Sequence, residues 1–588
     1  MKQFFKMMFA SALGVCVAVM ILVFVTISAV ISMAATMGET TYIPKENTVY
    51  KITLDGVLSD QVLENPLDEL MGEKSNLLSL KSLLYSIEQA KLNDKVTGIY
   101  LDAKMLSAGS ASLEALRRAL IDFKTSGKFV VAYADNFTQG CYYLCSVADK
   151  VYLNPQGLLD IHGLASQTMF YTGLLDKLGV EMQIFKVGTY KGAVEPFILD
   201  KLSDANRAQI DSYIGSVWGN IVNGISTSRS LKAEVVNQYA NEGYLFSEPT
   251  KAVELGFIDA LKYRSDVEEL IKNMAGQSGT LLKTAPYDKM IAVTAQEKPQ
   301  DGKIAVLYAE GPIEQNEPAS SPFSASNVIT EKVANELIKL KNDASVKAVV
   351  LRVNSPGGSA YTSEQIWKQV VELKKVKPIV ISMGDVAASG GYYIACAANK
   401  IIAEPNTLTG SIGIFGMFPN LAGTFNKVDL TMDVVKTNTY ADFGDISRPM
   451  SDGERALLQG HVERGYQTFI KRCADGRGKT TAEIDAIGQG RVWTGSQAVE
   501  IGLVDELGGI ELAITSAAEL AEVEAYSVTH VSTQKDFLTT LMEKELENIK
   551  LQFVQSFLGS SFQEFAMLNQ IKRSTGIQAR IPFDIKPL

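Results

Sequence analysis

The chain matches itself at an offset of 250 residues, and no other feature narrows its possible folds as sharply. Leu101 to Tyr190 aligns without a gap on Leu351 to Tyr440. Within that stretch YADNFTQGCYYLCSVADKVYLNP (133–155) lies on MGDVAASGGYYIACAANKIIAEP (383–405), and KVGTY (186–190) lies on KTNTY (436–440). With small shifts the likeness reaches KAVELGFID (251–259) against QAVEIGLVD (497–505), and YKITLDGVL (50–58) against GKIAVLYAEGPI (302–313). Two homologous domains are expected, at 45–280 and 301–530, with 281–300 as linker. A tail over 531–588 has helical periodicity from Phe537 to Leu568.

Within each copy, β-branched runs such as Ala348-Val349-Val350-Leu351-Arg352-Val353 and Pro378-Ile379-Val380-Ile381-Ser382 alternate with helical patterns such as Ser363 to Lys375. Such alternation predicts α/β domains built of βαβ units around a largely parallel sheet.

Ahead of the repeats, Met7 to Met37 carries no charged residue, and about 20 apolar residues suffice for a helix to cross a bilayer. Residues 1–40 are therefore expected to hold a short cytoplasmic start and a transmembrane anchor. Lys2 and Lys6 before the span and Glu39 after it put everything beyond residue 40 on the extracytoplasmic side. The small residues Ala34 and Ala35 keep cleavage of the anchor open as an alternative.

A net charge of -10, with no cluster of basic residues past the first few positions, excludes a nucleic-acid partner held through phosphates. Cys16, Cys141, Cys145, Cys396 and Cys473 form no regular framework and read as thiols rather than a metal site. Neither a metal nor a cofactor is expected. With three histidines in the whole chain (His162, His461, His530), a Ser-His-Asp arrangement has few candidates.

Three glycine-rich segments carry the candidate chemistry. VVLRVNSPGGSA (349–360) reads as a strand ending in a Pro-Gly-Gly turn, where backbone N–H groups can turn outward as an oxyanion hole requires. GDVAASGGYYI (384–394) places Ser389 before Gly390 and Gly391 at a helix start, uncrowded, with the Gly390 N–H as a second oxyanion donor beside Gly358. TLTGSIGIFG (407–416) adds Ser411. Read alone, each is equally a turn or an N-cap.

The two copies differ reciprocally. The first has Gln139 in place of Ser389 and Ser107-Ala108 in place of Gly357-Gly358, while the second has Ala441 in place of Lys191. Together they supply one nucleophile and one base. A serine hydroxyl needs a base, and a lysine serves only when burial or neighbours bring its pKa down. Lys191 lies among Gly188, Tyr190, Ala193 and Val194, with Glu195 the first acid after it. Lys186 is matched by Lys436, which assigns it a shared structural role. Ser411 is placed to hydrogen-bond the neutral lysine amine, or to cap a turn.

VGTYKGAVEPF (187–197), ASGGYY (388–393) and NSPGG (354–358) resemble, in this order and over nearly the whole chain past the anchor, the long duplicated form of the signal peptide peptidase A family, within the crotonase and caseinolytic-protease fold group. The resemblance implies two tandem crotonase/caseinolytic-protease-like domains, a Ser389–Lys191 dyad formed between them, a homo-oligomer (a tetramer) facing the outside of the cytoplasmic membrane, and released signal peptides as substrates. A general membrane-associated peptidase is the broader alternative. An acyl-CoA hydratase or isomerase of the same fold group is disfavoured by the export anchor and by the lack of an acidic base beside the turn. An inert oligomeric scaffold is disfavoured by the intact Ser389, Gly390, Gly358 and Lys191.

Overall fold

The computed structural model describes residues 14, 41–62, 77–294, 301–316, 328–533 and 576–580. Apart from residue 14, the expected anchor lies outside these residues, and no helix among them is long and apolar enough to cross a membrane.

Two largely parallel sheets account for the repeat, the second with an antiparallel strand at its edge. In the first, strands stand side by side in the order Leu77–Ser79 (β2), Thr48–Ser59 (β1), Val96–Ser107 (β3), Phe129–Ala134 (β4), Lys150–Leu153 (β5) and Ala260–Leu261 (β7). Thr284–Pro286 (β8) shares the outer edge of β1 with β2. The second runs Val492–Thr494 (β16), Leu408–Gly410 (β14), Ile379–Ala388 (β12), Val346–Ser355 (β10), Gly302–Glu310 (β9) and Tyr526–Val531 (β18). Lys400–Ala403 (β13) pairs with β12 and with Glu506–Leu507 (β17). Residues 284–290, read from sequence as linker, instead extend the first domain. Thr284–Pro286 finds a vacant stretch of β1 to pair with, and Tyr287–Met290 forms a helical turn whose Met290 is buried in the first core.

The β-branched runs become central strands because both faces are covered. Val349, Val350, Leu351 and Val353 are fully buried. Arg352, in the same run, is buried as well, and Asp60 of the first domain accepts two hydrogen bonds from its guanidinium at 2.8 and 3.0 Å. The helix Ser110–Lys124 packs Leu113, Leu116, Leu120 and Phe123 into the first core. Its N-cap, Gly109, has no side chain to offer. Asp385 of the second domain takes that place, accepting from the N–H groups of Ala111 and Ser112 at 2.9 Å and from the Ser112 hydroxyl at 2.6 Å.

A third, antiparallel sheet ties the copies together. Glu181–Lys186 (β6) of the first domain pairs with Phe415–Asn420 (β15) of the second, Lys186 opposite Phe415. On the other side of β15 lies Gly576–Arg580 (β19), which also pairs with Gly357–Ser359 (β11). The helix expected over 537–568 falls outside the described residues, but this last described segment of the tail is a strand, held by two edges that would otherwise lack partners.

Candidate active site

Ser389 closes β12, immediately before the helix Gly390–Ala395, with φ at +55°. A non-glycine residue so placed carries strain of about 1–3 kcal/mol, tolerated only where the surroundings dictate it. Here the Ser389 N–H donates to Gly410 O and the Ser389 carbonyl accepts from the Tyr393 N–H, both at 2.8 Å. The side chain is completely buried.

Against it comes Lys191 from the other domain, 198 residues away in the chain and fully buried. Its Nζ stands 2.9 Å from Ser389 Oγ, 3.0 Å from Ser411 Oγ and 3.1 Å from the Ser411 carbonyl oxygen. Burial alone pushes the amine well below the ordinary lysine range. A neutral amine has two N–H donors and one lone pair, and three partners are present. In that neutral form Ser411 can accept from both N–H groups, which leaves the lone pair for the Ser389 hydroxyl proton.

The turn before β11 stacks on this pair. The Gly357 N–H donates to Ser355 Oγ at 3.1 Å. A Cβ on Gly357 (φ +89°) would fall 2.7 Å from Gly390 N and 2.1 Å from Ala579 O, and one on Gly390 would fall 3.2 Å from Gly358 N. The amides of Gly358 and Gly390 thus border the same small space beside Ser389, and only glycine permits that approach.

All five residues singled out in the sequence, Ser389, Lys191, Ser411, Gly358 and Gly390, therefore meet at one point. Lys186 remains on β6, its carbonyl accepting from Gln459 Nε2 at 3.5 Å. Other contributors were missed. Gly490 (φ +82°) lets the second domain graze the lysine backbone, where a Cβ would lie 2.6 Å from Lys191 N. Gln209, buried in the helix Asp204–Arg229, donates to Tyr190 O at 2.9 Å and accepts from the Val492 N–H at 3.2 Å, bracing the lysine turn against β16. Glu195 is buried too, but its carboxylate is turned toward Ser203 and Asn206 rather than the amine. β19 was missed as well; its Ala579 is fully buried against the oxyanion turn.

Among the described residues, no group of three or more His, Cys, Asp or Glu is placed to hold a metal ion. Cys141, Cys145, Cys396 and Cys473 are buried free thiols.

Comparison with known proteins places the chain among peptidases. The model of peptidase family S49 matches residues 122–278 and 371–524, and that of Clp protease matches 323–409. Protease 4 of Salmonella typhi is 37% identical over 499 residues, covering 82% of this chain and 79% of its own. The chloroplastic serine protease SPPA of Arabidopsis thaliana is 30% identical, covering 91% and 78%. A putative signal peptide peptidase SppA of Enterococcus faecium is 32% identical over 273 residues, covering 46% and 75%.

Proposed function

The chain belongs to peptidase family S49 and is a serine peptidase, and on that premise we propose that Ser389 is its nucleophile and Lys191 its general base. The observation that carries this assignment is the 2.9 Å contact between Lys191 Nζ and Ser389 Oγ at a site where burial pushes the amine well below the ordinary lysine range. The lysine lone pair takes the hydroxyl proton as Oγ bonds to the scissile carbonyl carbon. The oxyanion that develops is stabilised by the N–H groups of Gly358 and Gly390. The ammonium then gives its proton to the departing amine, and a water activated by the same lysine hydrolyses the acyl-enzyme.

The substrates are peptides bound in extended form. That reading is supported by β19, which lies antiparallel to the edges of β11 and β15 beside the site, as an added strand would. The chain acts as an anchored homo-oligomer, a tetramer by family resemblance, at the outer face of the cytoplasmic membrane, with released signal peptides as the preferred substrates. The uncharged run from Met7 to Met37 and the Enterococcus faecium relative's name support this; the broader alternative is a general extracytoplasmic peptidase.

Hydrolysis of a synthetic signal peptide by wild type, Ser389→Ala, Lys191→Ala and Lys186→Ala tests the dyad. Loss on the order of 10⁶-fold for the serine variant and of 10²–10⁴-fold for Lys191→Ala, with Lys186→Ala unaffected, is expected. Equal activity in all four would return the inert scaffold to the front.

A further inference from the structure

The backbone that carries Lys191 is pinned by a side chain from another element. Tyr190 O, immediately before it, accepts from the Gly192 N–H at 2.8 Å and from Gln209 Nε2 at 2.9 Å. At the other end of the same amide, Gln209 Oε1 accepts from the Val492 N–H on β16 at 3.2 Å. Val492 stands opposite Gly410 across the β14–β16 pair, and Gly410 O is the acceptor of the Ser389 N–H. One primary amide therefore bridges the turn of the base and the strand pair that holds the nucleophile.

An amide bridges in this way only if it faces the right way round, and the orientation of Gln209 is imposed by its neighbours. Its second Nε2 hydrogen goes to Asn206 Oδ1 at 2.7 Å, and Asn206 Nδ2 donates to Glu195 Oε2 at 3.1 Å. The Glu195 carboxylate also accepts from the Ser203 N–H and hydroxyl at 3.1 and 2.6 Å. Three donors converge on its two oxygens, so Glu195 acts only as an acceptor; that turns the Asn206 amide, which in turn directs the Gln209 amide. Gly192 makes room for the chain, since a Cβ there would fall 2.5 Å from Asn206 Nδ2. Glu195, Asn206 and Gln209 are all buried, and burying a carboxylate on neutral donors is costly, so stability alone does not account for the acid.

The second copy lacks this chain of amides. The helices Asp204–Arg229 and Asp452–Arg477 are equal in length and capped by Ser203 and Ser451. Aligned on those caps, Asn206 becomes Glu454, which pairs with Arg448, and Gln209 becomes Leu457, 52% exposed. The arrangement accompanies Lys191 and is missing where Ala441 replaces it. Resting on the Ser389–Lys191 dyad proposed above, we infer that Gln209 is a positioning residue that sets the separation of base and nucleophile, and that Glu195, acting through Asn206, fixes the direction of its amide.

The test measures kcat and KM for a synthetic signal peptide with the full chain in detergent, alongside the melting temperature of each variant. Gln209→Met keeps the length and removes the amide; kcat should fall on the order of 10–100-fold, as for a reacting pair displaced by about 1 Å, with KM unchanged. Glu195→Gln sets a donor among donors and should lose kcat likewise. Adding Asn206→Asp to it moves the carboxylate one step along the chain, where it accepts from the amides on both sides, and should return kcat. Full kcat in Gln209→Met, a loss confined to KM, or a double variant no more active than Glu195→Gln alone overturns the inference and leaves the dyad standing. Activity retained in Ser389→Ala or Lys191→Ala overturns the dyad, and the inference with it.

Discussion

Lys191 illustrates how a residue can be favourable for chemistry and unfavourable for folding. Its amine, wholly buried without a carboxylate beside it, is pushed well below its value in the unfolded chain. The unfolded state therefore binds more protons between the two values, and stability rises with pH across that window. Below the lowered value the penalty is at its full extent. Lys191→Met, which keeps the volume and removes the charge, should abolish hydrolysis yet raise the melting temperature at neutral pH, with the difference from wild type shrinking as pH climbs toward the ordinary lysine range. In the wild type, kcat/KM should rise with pH and reach its plateau well short of that range. Calorimetry and a pH–rate profile check both; a destabilised Met variant would contradict the burial argument. At this scale the sequence was informative where the copies disagreed, since Ser389 and Lys191 stand out against Gln139 and Ala441. It was silent about Gln209 and Gly490, whose importance lies only in contacts with the opposite domain.

At the scale of elements, repetition revealed the parallel sheets but concealed the pieces that break it. Residues 284–290 carry loop-like composition and are held by pairing with β1 and by Met290 in the first core. β19 sits at the end of a tail whose helical periodicity gives no hint of an antiparallel partner at Gly357–Ser359. The helix Ser110–Lys124 starts at Gly109, so sequence offers no cap, and the missing acceptor arrives from Asp385, 273 residues beyond Ser112. Asp385→Ala leaves two N–H groups and a hydroxyl without that acceptor, and should lower unfolding stability by about 1–3 kcal/mol. Denaturant unfolding monitors the loss; an unchanged midpoint would show that water serves the helix equally well.

For the whole molecule, the duplication was legible as soon as the chain was aligned with itself, whereas the interdomain grip was not. Asp60 with Arg352 and Arg118 with Glu404 join positions 292 and 286 residues apart, and nothing local marks them. That separation has a consequence in time. During synthesis the base emerges almost two hundred residues ahead of the nucleophile, and the two meet only when the second sheet has folded and docked on the first. On the dyad proposed above, a chain still being made, or cut short anywhere before the second domain is complete, contains no working peptidase. Residues 1–295 and 296–588 produced separately should each be inert and recover hydrolysis only on mixing; activity in either half alone would show the delay to be illusory. If Ser389 and Lys191 form the dyad as proposed, such a protease is harmless until both of its halves have folded.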